Sequence, residues 1–252
     1  MRLQMKKVLV SFIITLLLFA CAGKKEINKD AATYFKEGLT YFQNKKYEKA
    51  AAAFEEALKK ADTPELAAKA QLFLADSYYL DEKYDDAIAA YKSYLELYEN
   101  QPDAKRALLR LGLSYYAMLQ PIDRDQSYTR EAYNTFLKLN AKYPEFSKKY
   151  NIPAKLRKLK NMLAEKDFYV AKFYVRIGED KAAIVRLEKI LKEYKDTKVY
   201  PEAALLYAKV LINIKKPDKA VSVLSQLLKE RKDPRLLPEI NKILKDLKKH
   251  LG

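Results

Sequence analysis

From residue 31 onward, apolar residues recur three and four positions apart, the spacing of one helix face, and nothing reads as a strand. Aligning these segments on their smallest residues uncovers a repeat. Gly38, Tyr41, Ala50 and Phe54 share their spacing with Ala75, Tyr78, Ala87 and Tyr91, with Ala171, Tyr174, Ala183 and Leu187, and with Ala208, Leu211, Ala220 and Leu224. A fifth set, Gly112, Tyr115, Ala132 and Phe136, fits once an insertion is allowed. A small residue early in each unit and a large one late in it predict paired antiparallel helices, which approach at the small position and are filled at the large one.

The small positions fall at 38, 75, 112, 171 and 208, giving steps of 37, 37, 59 and 37 residues. The pattern resembles the tetratricopeptide repeat. It predicts an all-α superhelix of five helix pairs, with an insertion in the third pair and a C-terminal capping helix after Pro238. Of the 22 extra residues in the long step, eight fall between Gly112 and Ala132 and 14 between Ala132 and Ala171. The first group is read as a loop from Gln120 to Ser127, polar and interrupted by proline. The second extends a helix from near Pro153 to Ile177, whose Leu156, Leu159, Leu163 and Phe168 keep helical spacing and which is long enough to bridge two lobes. Pro64, Pro102, Pro201 and Pro234 are placed at first helical positions, where a missing N–H costs nothing.

Residues 1–20 have a different character. A start with Arg2, Lys6 and Lys7 leads into an apolar run of about 13 residues, shorter than the ~20 a spanning helix needs. This is the layout of a secretory signal. The segment Leu18-Phe19-Ala20-Cys21 resembles the lipobox of bacterial lipoproteins, which implies cleavage before Cys21 and lipidation of that residue. Three acyl chains exceed the two signals that stable anchoring takes. Ala22 after the cysteine implies delivery to the outer membrane, where the protein would face the periplasm. The expected organisation is therefore a signal peptide at 1–20, a lipidated tether at 21–30, N-terminal repeats at 31–150, and C-terminal repeats with the long helix and capping helix at 151–252.

Composition narrows the chemistry. One Cys and one His, His250, provide no disulfide, no multi-histidine metal site and no Ser/His/Asp triad. Five scattered glycines cannot form a phosphate-cradling loop. No cofactor, metal or catalytic activity is expected. Acid pairs at Asp81-Glu82, Asp85-Asp86 and Glu179-Asp180 sit at predicted turns and are read as solvated helix caps. Losing residues 1–20 removes three cations and lowers the net charge from +16 to +13. An exported basic chain meets anionic lipid or acidic proteins rather than nucleic acid.

In such stacks the first helix of each pair lines a groove. Periodicity puts two positions of each unit on its inward face: four after the small residue, Phe42, Tyr79, Tyr116, Val175 and Ile212, and three before it, Phe35, Leu72, Leu109, Phe168 and Leu205. Lys69, Arg106 and Arg110 add a basic rim. The complement is an extended or helical peptide with aromatic side chains and a carboxylate. The alternative is that these rings fill a closed superhelix and touch only one another.

Three segments carry a more specific resemblance: Ala70-Gln71-Leu72-Phe73-Leu74-Ala75-Asp76-Ser77-Tyr78-Tyr79; Pro121-Ile122-Asp123-Arg124-Asp125-Gln126-Ser127 with Thr129-Arg130-Glu131-Ala132; and Asn161-Met162-Leu163-Ala164-Glu165 leading into Tyr169-Val170-Ala171-Lys172-Phe173-Tyr174. With the lipobox they resemble the BamD family of the outer-membrane β-barrel assembly machinery. The resemblance implies a non-catalytic scaffold that binds the POTRA region of a BamA-like barrel protein and the C-terminal β-signal of unfolded outer-membrane proteins. On that reading Phe35, Phe42, Lys69, Leu72, Tyr79, Arg106, Arg110 and Tyr116 form the peptide groove, and Asp123, Arg124, Arg176, Glu179 and Asp180 meet the partner. A different periplasm-facing lipoprotein scaffold, such as one coordinating cell division with wall synthesis, fits the repeats but gives no reason for the inserted loop.

Overall fold

A computed structural model describes residues 29–231 and 233–251. The signal segment, Cys21 and most of the tether lie outside them. The described residues form twelve α-helices and no strand. They are α1 Ala31–Gln43, α2 Tyr47–Lys59, α3 Pro64–Leu80, α4 Tyr84–Tyr98, α5 Ala104–Ala117, α6 Ser127–Lys142, α7 Pro144–Lys149, α8 Ile152–Arg176, α9 Asp180–Glu193, α10 Tyr200–Asn213, α11 Pro217–Glu230 and α12 Leu237–Leu251. The pairs are α1/α2, α3/α4, α5/α6, α8/α9 and α10/α11, each packed on the next, with α12 covering the end of the stack against α11. This is the tetratricopeptide superhelix that the spacing predicts.

The small and large positions meet as the pattern requires. A β-carbon on Gly38 would stand 2.6 Å from the Phe54 ring, and one on Gly112 would stand 2.3 Å from Phe136. Both rings are fully buried, so neither can step aside. A phenylalanine reaching across the pair therefore demands glycine opposite it. In the fourth and fifth pairs the shorter Leu187 and Leu224, also fully buried, leave room for Ala171 and Ala208.

The turns inside the pairs repeat as well. Lys45, Glu82, Gly178 and Lys215 all take positive φ, at 57°, 58°, 79° and 60°. The following amides, of Lys46, Lys83, Glu179 and Lys216, reach back to the carbonyls of Tyr41, Tyr78, Tyr174 and Leu211 at 2.9, 3.0, 2.9 and 2.8 Å. This is the left-handed helix stop that satisfies a terminal carbonyl, repeated in four of the five pairs, the third carrying the inserted loop instead. Only the fourth pair uses glycine for it.

The proline expectation needs correction at two of its four positions. Pro64 opens α3 behind the Thr63 cap, and Pro201 sits in the first turn of α10. Pro102 and Pro234 instead lie in turns, because α5 begins at Ala104 and α12 at Leu237. The acid pairs also act differently from caps. Asp85, Asp86 and Asp180 lie inside the first turns of α4 and α9, where they face the positive end of the helix dipole, and no side-chain cap bond forms at Lys83 or Glu179.

Helix α8 has 25 residues and runs from Ile152 to Arg176, within a residue of the expected limits at each end. The preceding residues do not extend it. They form the short helix α7, whose buried Ser147 donates to Asn140 Oδ1 at 2.8 Å, and then a reversal at Asn151 with φ 54°. Ile152 and Leu159 are buried in a core shared with α3 to α6, whereas Leu163, Ala164, Phe168 and Ala171 belong to the core of the last two pairs and α12. The cores thus change hands inside α8, not at residue 150.

Candidate binding surfaces

The first helices of neighbouring pairs touch, α1 with α3, α3 with α5 and α8 with α10, while no comparable contact links the second helices. The stack therefore curves with the first helices on its inner side. Along them, the two sets of positions that periodicity could not separate have different environments. Leu72, Leu109, Phe168 and Leu205 are all under 9 % exposed and serve as core, whereas Phe42, Tyr79, Tyr116, Val175 and Ile212 keep part of their surface. Seven residues is two turns less about 20°, so both sets share a stripe. The earlier set lies where the next pair packs, and the later set lies near the helix ends.

In the first pair the rings pack on one another. Phe35, Phe42, Phe54 and Phe73 form a cluster with centroids 5.4–6.5 Å apart, mostly tilted or edge-on, the geometry that ring quadrupoles favour. Phe35 and Phe42 thus stabilise the seam between the first two pairs. Lys69 is exposed on α3.

Arg106 is committed within the protein. Its guanidinium lies 5.7 Å from the Phe73 ring and donates to Asp76 Oδ2 at 2.8 Å. Asp76, 8 % exposed, also accepts from the hydroxyl of the fully buried Tyr91. One carboxylate so ties α3 to α4 and α5. Burial pushes the Asp76 carboxyl above the usual carboxylate value, against the pull of Arg106 and Tyr91, and burial also raises the Tyr91 hydroxyl. Asp76 was not among the expected residues, although its place beside the small Ala75 of the second unit marks it as a polar residue at a packing point.

Tyr79 and Tyr116 are arranged differently. The Arg110 guanidinium sits 4.5 Å from the Tyr79 centroid. Lys155 and Lys158 each place an ammonium 5.1 Å from the Tyr116 centroid, reaching it from the start of α8. Each cation rests on the negative face of a ring. Among the described residues no carboxylate lies within 4.0 Å of any of the three. The inner side of the N-terminal pairs thus carries aromatic surface together with cations that make no direct ion pair among the described residues.

The inserted loop between α5 and α6 is a built structure. Gln126, 5 % exposed, donates to the carbonyls of Pro121 at 2.8 Å, Gln120 at 3.3 Å and Arg124 at 3.4 Å, and accepts from Thr129. Asp125 accepts from the Ser127 amide at 2.8 Å, and hydrogen bonds from Ser127 hold its carboxyl below the usual value. From α8, Lys166 donates to the carbonyls of Arg124 at 3.0 Å and Asp123 at 3.4 Å, locking the loop to the long helix. The side chains of Asp123 and Arg124 remain exposed.

Next to that lock α8 exposes an apolar stripe that sequence reading missed. Tyr169, Phe173 and Ile177 recur every four residues and are 47 %, 43 % and 52 % exposed. Lys166 lies over Tyr169 and Arg176 over Phe173, at 5.8 and 5.5 Å. Arg176 is ten residues, or about 15 Å of helix, beyond Lys166. Glu179 is exposed at the turn, while Asp180 accepts from Asn213 and is tied to the last pair. The stripe had a signal: α8 repeats apolar residues along two faces, and a helix packed on one side needs only one.

Comparison with known proteins follows from this architecture. Residues 27–221 match the model of the YfiO family, described as an outer membrane lipoprotein. The chain belongs to this family. The YfiO match spans the first four pairs, α10 and the first turn of α11. The outer membrane protein assembly factor BamD of Rickettsia prowazekii is 28 % identical over 198 residues, covering 77 % of this chain and 78 % of that one. The factor of the same name from Neisseria meningitidis serogroup A is 32 % identical over 81 residues, covering 32 % of this chain and 30 % of its own. Among solved structures, a thermophilic tetratricopeptide protein from Thermus thermophilus aligns over 85 % of this chain and 98 % of its own, at 17 % identity and a TM-score of 0.36.

Proposed function

We propose that this YfiO-family chain is a non-catalytic assembly factor for outer-membrane proteins, held on the periplasmic face of the outer membrane by lipid on Cys21. It binds the POTRA region of a BamA-like barrel protein on one surface and the C-terminal β-signal of unfolded substrates on another. The observation that carries this reading is the line of tyrosines along the inner side, Tyr79 and Tyr116, with cations on their faces that make no direct ion pair among the described residues. A β-signal alternates apolar residues and ends in an aromatic residue with a free carboxylate, so it offers both partners that the line lacks.

Binding of a labelled β-signal peptide to the mature protein, followed by fluorescence anisotropy, tests the groove. Tyr79→Ala and Tyr116→Ala are each expected to weaken it by about 1–3 kcal/mol, the range for losing a packed aromatic contact at a binding centre. Unchanged affinity in both variants would move recognition elsewhere.

The partner surface assigned here is the inserted loop with Asp123 and Arg124, the stripe Tyr169, Phe173 and Ile177, and the adjoining Arg176, Glu179 and Asp180. An exposed apolar strip rimmed by charge is the usual make-up of a docking face. Pull-down from detergent-solubilised membranes should recover a BamA-like barrel protein with the unaltered chain, and Phe173→Asp should abolish that recovery while thermal stability holds. Recovery undiminished by Phe173→Asp would place the interface off α8.

A further inference from the structure

Lys155 and Lys158 are two α8 cations that converge on one ring. They are three residues apart on one helix, where like charges repel, and both ammoniums stand 5.1 Å from the centre of the same ring, Tyr116. Lys155 is half-buried, so water screens it incompletely. Elsewhere on α8, Lys160 pairs with Asp196 at 2.6 Å and Lys166 donates to the loop carbonyls, while Lys172 lies over the Phe168 ring at 4.8 Å. The face of Tyr116 offsets part of the repulsion, but it supplies no acceptor lone pair.

We infer that Lys155, Lys158 and the ring of Tyr116 form an anion subsite that takes the C-terminal carboxylate of the bound peptide. This rests on the groove reading above and adds where the peptide ends. Two ammoniums, each with three donors, match the two oxygens of a carboxylate. The position favours a chain terminus over an acidic side chain. Tyr116 is the last ring of the inner line, which continues as Val175 and Ile212, so a peptide laid along α1, α3 and α5 would have its final aromatic residue here, beside the cations of α8. The peptide's last aromatic side chain would then lie between the rings of Tyr79 and Tyr116, with Arg110 above Tyr79 adding to the positive potential.

The test uses two peptides of alternating apolar residues ending in Phe, one with a free carboxylate and one with a carboxamide. Their affinities are measured on the mature protein, on Lys155→Gln/Lys158→Gln, and on Lys158→Glu. The unaltered protein is expected to prefer the free acid by about tenfold, the range for a charge-assisted hydrogen bond. The double variant should lose that preference and bind the two peptides alike, and Lys158→Glu should favour the amide. Because two repelling charges are removed, the thermal midpoint of the double variant should stay level or rise. A double variant that still prefers the acid tenfold overturns the subsite but leaves the groove standing. Failure of both peptides to bind the unaltered protein removes groove and subsite together. Displacement of the acid peptide by phosphatidylglycerol vesicles, dependent on the same two lysines and exceeding peptide affinity, would assign the cations to a lipid headgroup and overturn the inference.

Discussion

Replacing Gly112 by alanine is expected to destabilise the protein by about 1–2 kcal/mol, although helix propensity alone favours alanine by about 1 kcal/mol. The opposing effect is larger. The new β-carbon would lie 2.3 Å from the ring of Phe136, which is fully buried and closed in by its own core. Relieving such a contact means shifting α5 from α6, and overpacking of this kind costs about 1–3 kcal/mol. The prediction gains its force from the other pairs. Ala171 with Leu187 and Ala208 with Leu224 show the same position solved with a larger residue on one side and a smaller one on the other. Phe136→Leu in the Gly112→Ala background should therefore recover stability, even though Phe136→Leu alone loses contacts in the core. A double-mutant cycle by urea denaturation should give a coupling of about 1 kcal/mol or more in favour of the pair. Additive losses would mean that Gly112 and Phe136 do not answer each other.

Asp76→Ala is expected to cost about 2–3 kcal/mol. It leaves the Tyr91 hydroxyl buried without its acceptor and removes the carboxylate that holds Arg106 against Phe73. Breaking a fully buried pair costs about 3–5 kcal/mol, and the figure is discounted here because the Arg106 side chain is 38 % exposed and water can reach it. Asp76→Asn keeps an acceptor of nearly the same shape and should lose less. Since Asp76 joins α3 to α5, the alanine variant should also weaken peptide binding by loosening the register between Tyr79 and Arg110, although Asp76 is too buried to touch the peptide. Denaturation curves of the two variants decide the matter. Equal losses would show that the hydrogen-bond acceptor at Asp76 does little for the fold.

The inner-side residues divide according to what they touch. Phe35 and Phe42 pack on the rings of Phe54 and Phe73 within the first two pairs. Leu72 lies deeper still, in the core of the second and third pairs. Tyr79 and Tyr116 belong to the same periodic line, yet their faces meet cations rather than other rings. Arg106 and Arg110 stand four residues apart on one helix, but only Arg106 makes a direct ion pair with Asp76. None of these differences is a property of residue type. Each depends on which side chain the neighbouring helix presents, and that neighbour is 30 residues away for Asp76 and Arg106.

The sequence by itself determined the five helix pairs, the 37-residue step, the place of the insertion and the length of α8. It could do so because the small and large positions that weld a pair lie 16 residues apart in four pairs and 24 in the third, close enough for the contact to leave a regular mark in the chain. It missed α7, since six residues are too few to show a period, and the outer stripe of α8, since a stripe declares itself only when one sees that no neighbour covers it. The tertiary structure alone decided where α8 crosses. The start of α8, packed in the first core, brings Lys155 and Lys158 to Tyr116, and the stretch past the crossing brings Lys166 to the loop, because a helix of 25 residues enters two cores and can present its charged faces only to what those cores leave beside it.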